Sequence, residues 1–197
     1  MTTSPDNPTL ADLVVRLAEL LERLGIPYAF GGALAVSFWG IPRTTQDADC
    51  LVAVPALAYQ RLADTLNNEG FTVAEQGEEP VTVEALRKQV AVRGYMTLSW
   101  RSTLVELFVP LVTLQHEILR RATPQPFGDG HIIVTTAEDL ILLKMAFHRH
   151  KDVQDIKGIL HIQARRLDFD YLQRWSQQML DDPLIQELET LIADYIY

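Results

Sequence analysis

The chain has 197 residues, of which 48% are hydrophobic and 22% charged, as is typical of a soluble globular protein with one domain, with or without a small helical appendage. Its formal net charge of −9 argues against a broad basic surface for nucleic acid, so an RNA partner would have to bind a local patch. The sequence has neither an apolar run of the roughly 18 residues that a bilayer span needs nor an N-terminal signal-peptide pattern. We therefore expect a cytoplasmic protein with no membrane partner.

Helices and strands alternate in the first part of the chain. Leucines at helical spacing predict a helix from Leu10 to Leu24, which begins with a capping pair of Thr9 and Asp12 and ends at Gly25. We then expect a short strand "IPYAF", a Gly-Gly turn, a short helix "ALAVSFW", a strand "DADCLVAV" and a third helix over about residues 56–68.

The middle of the chain favours strands and the last third favours helices. Two strands, "AVRGYMTLSW" and "TLVELFV", are expected to pair as a hairpin about Arg101 and Ser102. Around them we predict a strand "FTVA", a polar connection "EEPVTVEALRKQ" with one helical segment, a helix near 114–121, a turn "TPQPFGDG" and a strand "HIIV". From Thr136 three or four helices follow, and if one helix runs from Thr136 toward Arg149, Lys144 and His148 share a face. This order indicates an α+β fold, with a mixed, mostly antiparallel sheet, flanking helices and a C-terminal helical part.

Two closely spaced aspartates open the apolar strand "DADCLVAV". Residues two apart in a strand point to the same face, so Asp47 and Asp49 present their carboxylates side by side, and Arg43 and Thr45 extend the same alternation. Two like charges about 4 Å apart repel by about 4 kcal/mol at the effective dielectric near a protein surface. We therefore expect a positive charge between the two carboxylates.

A third acid, Glu106, lies in the later strand "TLVELFV". Three acids on neighbouring strands, with no His or Cys nearby in sequence, suit Mg²⁺ or Mn²⁺ rather than zinc. Two-metal sites for phosphoryl transfer use this arrangement. Asp47, Asp49 and Glu106 are accordingly the predicted metal ligands and catalytic residues.

The Gly-Gly turn supplies a candidate phosphate site. Gly31 and Gly32 lie between a strand and the N-terminus of a helix, where backbone N–H groups and a partial positive charge favour an anion. A side chain at either position would hold a phosphate away.

These residues resemble a known superfamily. "GG…RTTQDADCLV" followed by "LVELFV" is similar to the polymerase-β-like nucleotidyltransferases, whose motif is a Gly-Gly or Gly-Ser turn, then D-x-D, then a third carboxylate on a later strand. "YAFGGALAVSFWGIPRTTQDADCLV" together with "TTAEDLILLKMAFHRHKDVQDIKGIL" resembles the AbiEii-type branch, which includes toxins of type IV toxin-antitoxin systems. The superfamily has aspartate where this chain has Glu106. The resemblance implies a nucleotidyltransferase core over residues 1–134 and a helical region over 135–197.

The resemblance also implies site residues in the helical region. The AbiEii branch carries a similar series, matched by Lys144, Arg149, Lys151, Asp152 and Asp155. With Gly31 and Gly32, Lys144 is the implied phosphate contact, and a solvated charged face is the alternative for this helix. The predicted nucleotide-binding residues are therefore Gly31, Gly32, Arg43, Thr45 and Lys144.

The implied activity is transfer of a nucleoside monophosphate from a nucleoside triphosphate to an acceptor, with Mg²⁺ or Mn²⁺. The toxin branch implies RNA, above all tRNA, as the acceptor and an antitoxin as a partner. Three alternatives remain open at this stage: a protein or small-molecule acceptor, a nucleotide- or partner-binding module without turnover, and a structural protein in which Arg43 or Lys144 neutralises the acids.

Overall fold

The computed structural model of the protein describes residues 9–74 and 79–196. They form two compact units, the first within Met1–Phe30 and Thr45–Val134 and the second within Gly31–Thr44 and Thr135–Tyr197. The sequence predicts a division into domains 1–134 and 135–197, which stays a prediction. The two compact units differ from it because residues 31–44 group with the C-terminal segment. Two sequence predictions concern residues outside the described ones. They are the absence of a signal peptide in residues 1–8 and the start of the polar connection at residue 78.

The first unit contains one mixed sheet with the strand order β4-β3-β5-β6-β2-β1-β8-β7 in the described part of the chain. Two neighbouring pairs, β2 with β6 and β1 with β8, are parallel, and the others are antiparallel. This confirms the α+β fold and its mostly antiparallel sheet. The strands are Tyr28–Phe30 (β1), Asp47–Val52 (β2), Phe71–Val73 (β3), Glu79–Pro80 (β4), Tyr95–Trp100 (β5), Thr103–Phe108 (β6), Thr123–Phe127 (β7) and Gly130–Val134 (β8).

In the part of the first unit that the structure describes, four α-helices accompany this sheet, and α1 begins and ends where the sequence predicts. The Thr9 hydroxyl accepts a hydrogen bond from the Asp12 N–H at 3.2 Å, the Asp12 carboxylate accepts one from the Thr9 N–H at 2.8 Å, and Gly25 ends the helix in the left-handed conformation. Helix α1 contacts β2 and β8, and α4 contacts β5. The helices are Leu10–Leu24 (α1), Tyr59–Asn68 (α3), Val83–Arg93 (α4) and Thr113–Arg121 (α5), and a 3-10 turn, Ala56–Ala58, precedes α3.

Two predictions for the first unit are wrong. The strand expected from "AVRGYMTLSW" starts only at Tyr95, because α4 continues to Arg93 and Gly94 ends it with φ +80°. The expected turn "TPQPFGDG" is largely strand β7, paired with β8. The prolines fit because β7 is the last strand of the sheet, where a missing N–H breaks no bond to a further strand.

The second unit is helical in its described part. Helix α6 contacts α7 and α8, α2 contacts α6 and α7, and α9 contacts α7 and α8. A single helix toward Arg149 does not form, because α6 ends where His148 adopts the left-handed conformation with φ +49°, and a new helix follows. The helices are Gly32–Trp39 (α2), Ala137–Phe147 (α6), His150–Gln163 (α7), Phe169–Met179 (α8) and Asp182–Ile196 (α9). None of the described helices in either unit has the length and apolar character to cross a membrane.

Candidate active site

The side chains of the three predicted metal ligands project from one face of the sheet in the first unit. Strands β2 and β6 are parallel neighbours, and Asp49 is the register partner of Glu106, while Asp47 is paired with Leu104. Paired residues on parallel strands project to the same side, and so do residues two apart on one strand. The prediction that Asp47 and Asp49 share a face is therefore confirmed, and the β2–β6 register shows that Glu106 lies on the same face.

The opposite face of the same strands forms the core. Ala48 and Cys50 on β2 and Val105 and Leu107 on β6 are fully buried. Burial raises the pKa of the Cys50 thiol far above its ordinary value, as expected for a core cysteine rather than a nucleophile. The acids thus occupy the half-exposed side of strands whose other side is anchored by packing, which fixes their register.

Strand β5 extends the acidic face. Thr97 is the register partner of Glu106, so Thr97, Glu106 and Asp49 form one row across three strands. In the next row Tyr95 is paired with Phe108, and their ring centroids are 5.0 Å apart. The acids therefore lie beside hydroxyl and aromatic side chains. The sequence alone does not show this, because the positions of Thr97 and Tyr95 beside the acids depend on the β5–β6 register.

Asp47 is held by its own strand end. The Thr45 hydroxyl donates a hydrogen bond to Asp47 Oδ1 over 2.7 Å. Thr45, predicted to bind nucleotide, is thus found to orient a predicted metal ligand, and its nucleotide contact stays a prediction.

The carboxylates do not converge into a preformed metal cage. Within the described ranges 9–74 and 79–196, no group of three or more His, Cys, Asp or Glu side chains is arranged to hold a metal ion. Mg²⁺ is usually bound by one or two protein carboxylates together with water and substrate phosphates. The register pair of Asp49 and Glu106, with Asp47 beside it, fits this mode of binding, which needs the substrate to complete the coordination.

The two predicted phosphate-binding glycines begin α2 in the second unit. Gly32 has φ +55°, a conformation that favours glycine. Gly31 precedes it as the helix N-cap without a side-chain hydrogen bond, and a Cβ built there would meet, within 4 Å and among the described residues other than its chain neighbours, Thr135 Cγ2 at 3.9 Å. The backbone conformation therefore explains the glycine at 32, whereas the contacts of the described residues do not require a glycine at 31.

We expect alanine at these two positions to separate folding from binding. Gly32→Ala should destabilise the protein by about 1–2 kcal/mol, because the left-handed conformation strains a residue with a Cβ. Gly31→Ala should leave the melting temperature nearly unchanged but weaken nucleoside triphosphate binding by about tenfold or more, about 1.4 kcal/mol, because the methyl group occupies the approach to the helix N-terminus. Thermal melts and titration calorimetry check both, and unaltered nucleotide affinity in Gly31→Ala would remove Gly31 from the site.

The remaining predicted nucleotide contacts, Arg43 and Lys144, belong to a buried charge cluster of the second unit. Lys144 Nζ lies 2.6 Å from Asp155 Oδ2 and 3.5 Å from Asp152 Oδ1, and its side chain is 6% exposed. Arg43 donates to both carboxylate oxygens of Asp155, from Nε at 3.0 and 3.3 Å and from Nη2 at 3.2 Å. Arg149 Nε donates to Asp152 Oδ2 at 2.6 Å. Of the alternatives for this helix, the solvated charged face does not hold for Lys144, which is buried.

Charge pairing controls ionisation in this cluster. Burial by itself would raise the pKa of the Asp152 carboxyl, but hydrogen bonds from Arg149 and the charge of Lys144 outweigh it and hold that pKa below the usual value. Because the folded-state pKa is depressed, Asp152 stabilises the protein fully above its unfolded pKa of about 3.9, and this contribution is lost as the pH falls through the lower folded value. The cluster is thus a structural element of the second unit, and phosphate contacts by Lys144 and Arg43 stay predictions.

No protein-family model matches the chain, and no curated protein matches it either. Solved structures do resemble it. The lincosamide antibiotic adenylyltransferase LnuA, in a lincomycin-bound crystal structure, has a TM-score of 0.52 and 14% identity, over 79% of this chain and 99% of the other. The solution structure of the antibiotic-resistance factor ANT(2'')-Ia gives a TM-score of 0.51 and 11% identity, over 94% of this chain and 90% of the other. Its crystal structure in complex with adenylyl-2''-tobramycin gives a TM-score of 0.51 and 12% identity, over 94% and 95%. At these identities the likeness concerns the fold, and the chain has the fold of these nucleotidyltransferases.

Proposed function

We propose that this protein is a metal-dependent nucleotidyltransferase, which moves a nucleoside monophosphate from a nucleoside triphosphate to an acceptor hydroxyl. The observation that carries the proposal is the register pair of Asp49 and Glu106, with Asp47 beside it, on the half-exposed face of a nucleotidyltransferase-like sheet. Acids in adjacent rows of one open face are costly unless a cation offsets their repulsion.

The reaction exchanges a phosphoanhydride bond of the nucleoside triphosphate for a phosphoester bond to the acceptor. The acceptor oxygen attacks the α-phosphorus, the bond to the β-phosphate oxygen breaks, and pyrophosphate leaves with the electron pair. In this mechanism Glu106 would accept the acceptor's proton, and Asp47 and Asp49 would hold Mg²⁺, with Thr45 orienting Asp47. Bound Mg²⁺ supplies charge neutralisation on the phosphate oxygens. Positioning of the reactants by the β2–β6 register would contribute the rest of the rate enhancement, because no covalent intermediate is required.

A small hydroxylated molecule is the acceptor we favour. LnuA is described as a lincosamide antibiotic adenylyltransferase, and ANT(2'')-Ia is seen with an adenylylated tobramycin. A net charge of −9 disfavours the extended phosphate backbone of RNA and suits a neutral or cationic molecule. Tyr95 and Phe108, one row from Glu106, offer an aromatic surface against which a ring could pack.

RNA is the second candidate acceptor, and it would make the protein a toxin with a cognate antitoxin. The series from Lys144 to Asp155, which resembles the AbiEii branch, favours it. A third outcome, nucleotide binding without turnover, would make the chain a binding module.

One assay separates these candidates. The protein is incubated with Mg²⁺ or Mn²⁺, each α-labelled nucleoside triphosphate, and either total cellular RNA or tobramycin and lincomycin as probe acceptors. An Asp47→Ala/Asp49→Ala variant is the control. Label in a small product formed only by the wild type supports our first choice, and label in RNA supports the second. The absence of transfer to any acceptor or to the protein itself, with nucleotide still bound, would refute enzymatic activity.

Substitutions of Glu106 test its assigned role. We expect Glu106→Gln to lower the transfer rate by about 100-fold or more, because the amide cannot accept a proton, whereas Glu106→Asp should retain the larger share of activity. A Glu106→Gln variant as active as the wild type would exclude Glu106 from the mechanism.

A further inference from the structure

The buried charge cluster of the second unit carries more positive than negative charge. Its members are three cations and two carboxylates, namely Arg43, Lys144, Arg149, Asp152 and Asp155. Lys144 cannot present the surplus positive charge to a ligand, because its side chain is 6% exposed and Nζ lies 2.6 Å from Asp155 Oδ2. The side chains of both arginines reach the surface, so the surplus charge is accessible at one of them.

The start of α7 accounts for Arg149. This residue is the N-cap of the helix, and its backbone N–H and its Nε donate to Asp152 Oδ2 at 3.1 and 2.6 Å. Its guanidinium also packs over the ring of Phe147, with Cζ 5.2 Å from the ring centroid. Arg43 has no comparable local role, because it pairs with Asp155, which is 112 positions away.

Asp155 binds one edge of the Arg43 guanidinium and leaves another edge open. The bonds to the carboxylate come from Nε and Nη2, which lie on the same edge of the guanidinium plane. A guanidinium presents donors on more than one edge, and the N–H groups of Arg43 Nη1 have no acceptor among the described residues. The Arg43 side chain is 34% exposed and that of Asp155 only 5%, so solvent reaches the arginine from the side away from the carboxylate.

The backbone before Arg43 is also fixed, because it lies directly on α7. A Cβ built on Gly158 would lie 3.3 Å from both the backbone nitrogen and Cγ1 of Ile41, which is closer than an ordinary van der Waals contact. Gly158 follows Asp155 by about one helical turn, so Ile41 contacts the helix close to the carboxylate that Arg43 binds. Pro42 then restricts the backbone between Ile41 and Arg43. The chain therefore brings the arginine to Asp155 along a constrained path.

We propose that Asp155 is a positioning residue, which holds one edge of the Arg43 guanidinium so that the open edge binds a phosphate group, while Lys144 contacts no phosphate. This inference rests on the proposed function, because it takes the phosphate group to be part of the bound nucleoside triphosphate. Arginine binds phosphate oxygens through parallel hydrogen bonds from one edge. A guanidinium that is already held in place loses less side-chain entropy when it binds. Of the two cations predicted as phosphate contacts, only Arg43 therefore has this role.

The test measures how the full-length protein binds Mg²⁺-tripolyphosphate, a probe that carries the phosphate chemistry without a base, by titration calorimetry. Arg43→Met should bind the probe about 10- to 100-fold more weakly, because it loses hydrogen bonds between charged groups. Lys144→Met and Arg149→Met are matched controls that remove the same single charge from the same cluster. Both should stay within about twofold of the wild-type affinity, because neither side chain touches the probe and a charge acting through water at about 10 Å contributes little.

A double variant tests whether Arg43 depends on Asp155. Asp155→Asn/Lys144→Met keeps the net charge of the wild type and removes the buried lysine that would otherwise lose its partner. We expect it to bind the probe about tenfold more weakly than Lys144→Met, because the guanidinium is no longer held by a carboxylate. A purely electrostatic effect has the opposite sign, since removal of a negative charge strengthens the attraction for an anion. Melting temperatures establish that each variant is folded during the titration.

The contrary outcomes are distinct, and each overturns the inference. A loss in Lys144→Met or Arg149→Met as large as that in Arg43→Met would mean that the probe responds to the net charge of the cluster. Wild-type affinity in Arg43→Met, or a wild type that does not bind the probe, would exclude Arg43 as a phosphate ligand. A double variant that binds at least as tightly as Lys144→Met would show that Asp155 does not position the arginine. Arg43-dependent binding by a protein that transfers no labelled nucleotide would refute the proposed function alone.

Discussion

Asp49→Asn is expected to lower nucleotidyl transfer by about 100- to 1,000-fold, the range for removal of one group that stabilises charge in a transition state. Asp49 is the acid with a carboxylate on either side of it, since Glu106 is its register partner and Asp47 lies two residues before it on the same face. Asparagine keeps the shape but not the charge that binds Mg²⁺. The measurement is the initial rate of label transfer at saturating Mg²⁺ and nucleotide.

The fold should survive this substitution. Asp49 lies on the half-exposed face, while Ala48 and Cys50 on the other face carry the core packing of β2. The matched control is Asp64→Asn, an exposed aspartate on α3 whose Oδ1 accepts from Gln60 Nε2 at 2.9 Å. We expect that control to keep full activity and a near-native melting temperature. Unfolding of Asp49→Asn under conditions where the control is folded, or full activity in both, would count against a metal site on β2.

Local sequence signals predicted the elements that depend on neighbouring residues. The Thr9–Asp12 capping box and the left-handed Gly25 define α1 without help from the rest of the chain. The hairpin at Arg101 and Ser102 was predicted in the same way, and both residues have positive φ. The shared face of the acids followed from the period of two along β2, and the parallel β2–β6 pairing completed it.

Elements that depend on distant partners were misjudged. β7 contains two prolines and resembles a turn until its place at the sheet edge is known. No glycine or proline near His148 signals the end of α6 in the sequence. In the structure His148 Nε2 lies 2.9 Å from Oε2 of Glu187, a residue 39 positions later. Arg43 and Asp155 are 112 positions apart, so no local pattern could show that they are paired.

Asp155→Ala is expected to be the most destabilising single change among those considered, by about 3–5 kcal/mol, the usual cost of removing one partner from a buried ion pair. Asp155 is 6% exposed as a residue and forms ion pairs with both Lys144 and Arg43. Without it Lys144 stays buried, and Asp152, whose Oδ1 lies 3.5 Å from Lys144 Nζ, is left as a more distant carboxylate partner. Chemical denaturation measures the loss.

Lys144→Met should destabilise the protein less than Asp155→Ala, because each carboxylate that loses the lysine still has an arginine partner. Asp155 retains Arg43, and Asp152 retains Arg149. The double variant Asp155→Ala/Lys144→Met should then be more stable than Asp155→Ala alone, since the uncompensated buried ammonium is removed. That rescue distinguishes a structural ion pair from a ligand contact, because a lysine exposed to bind phosphate would add no such coupling to stability. Additive losses in the double variant would show that Lys144 does not depend on Asp155, and the phosphate-binding role predicted for Lys144 would then regain its support.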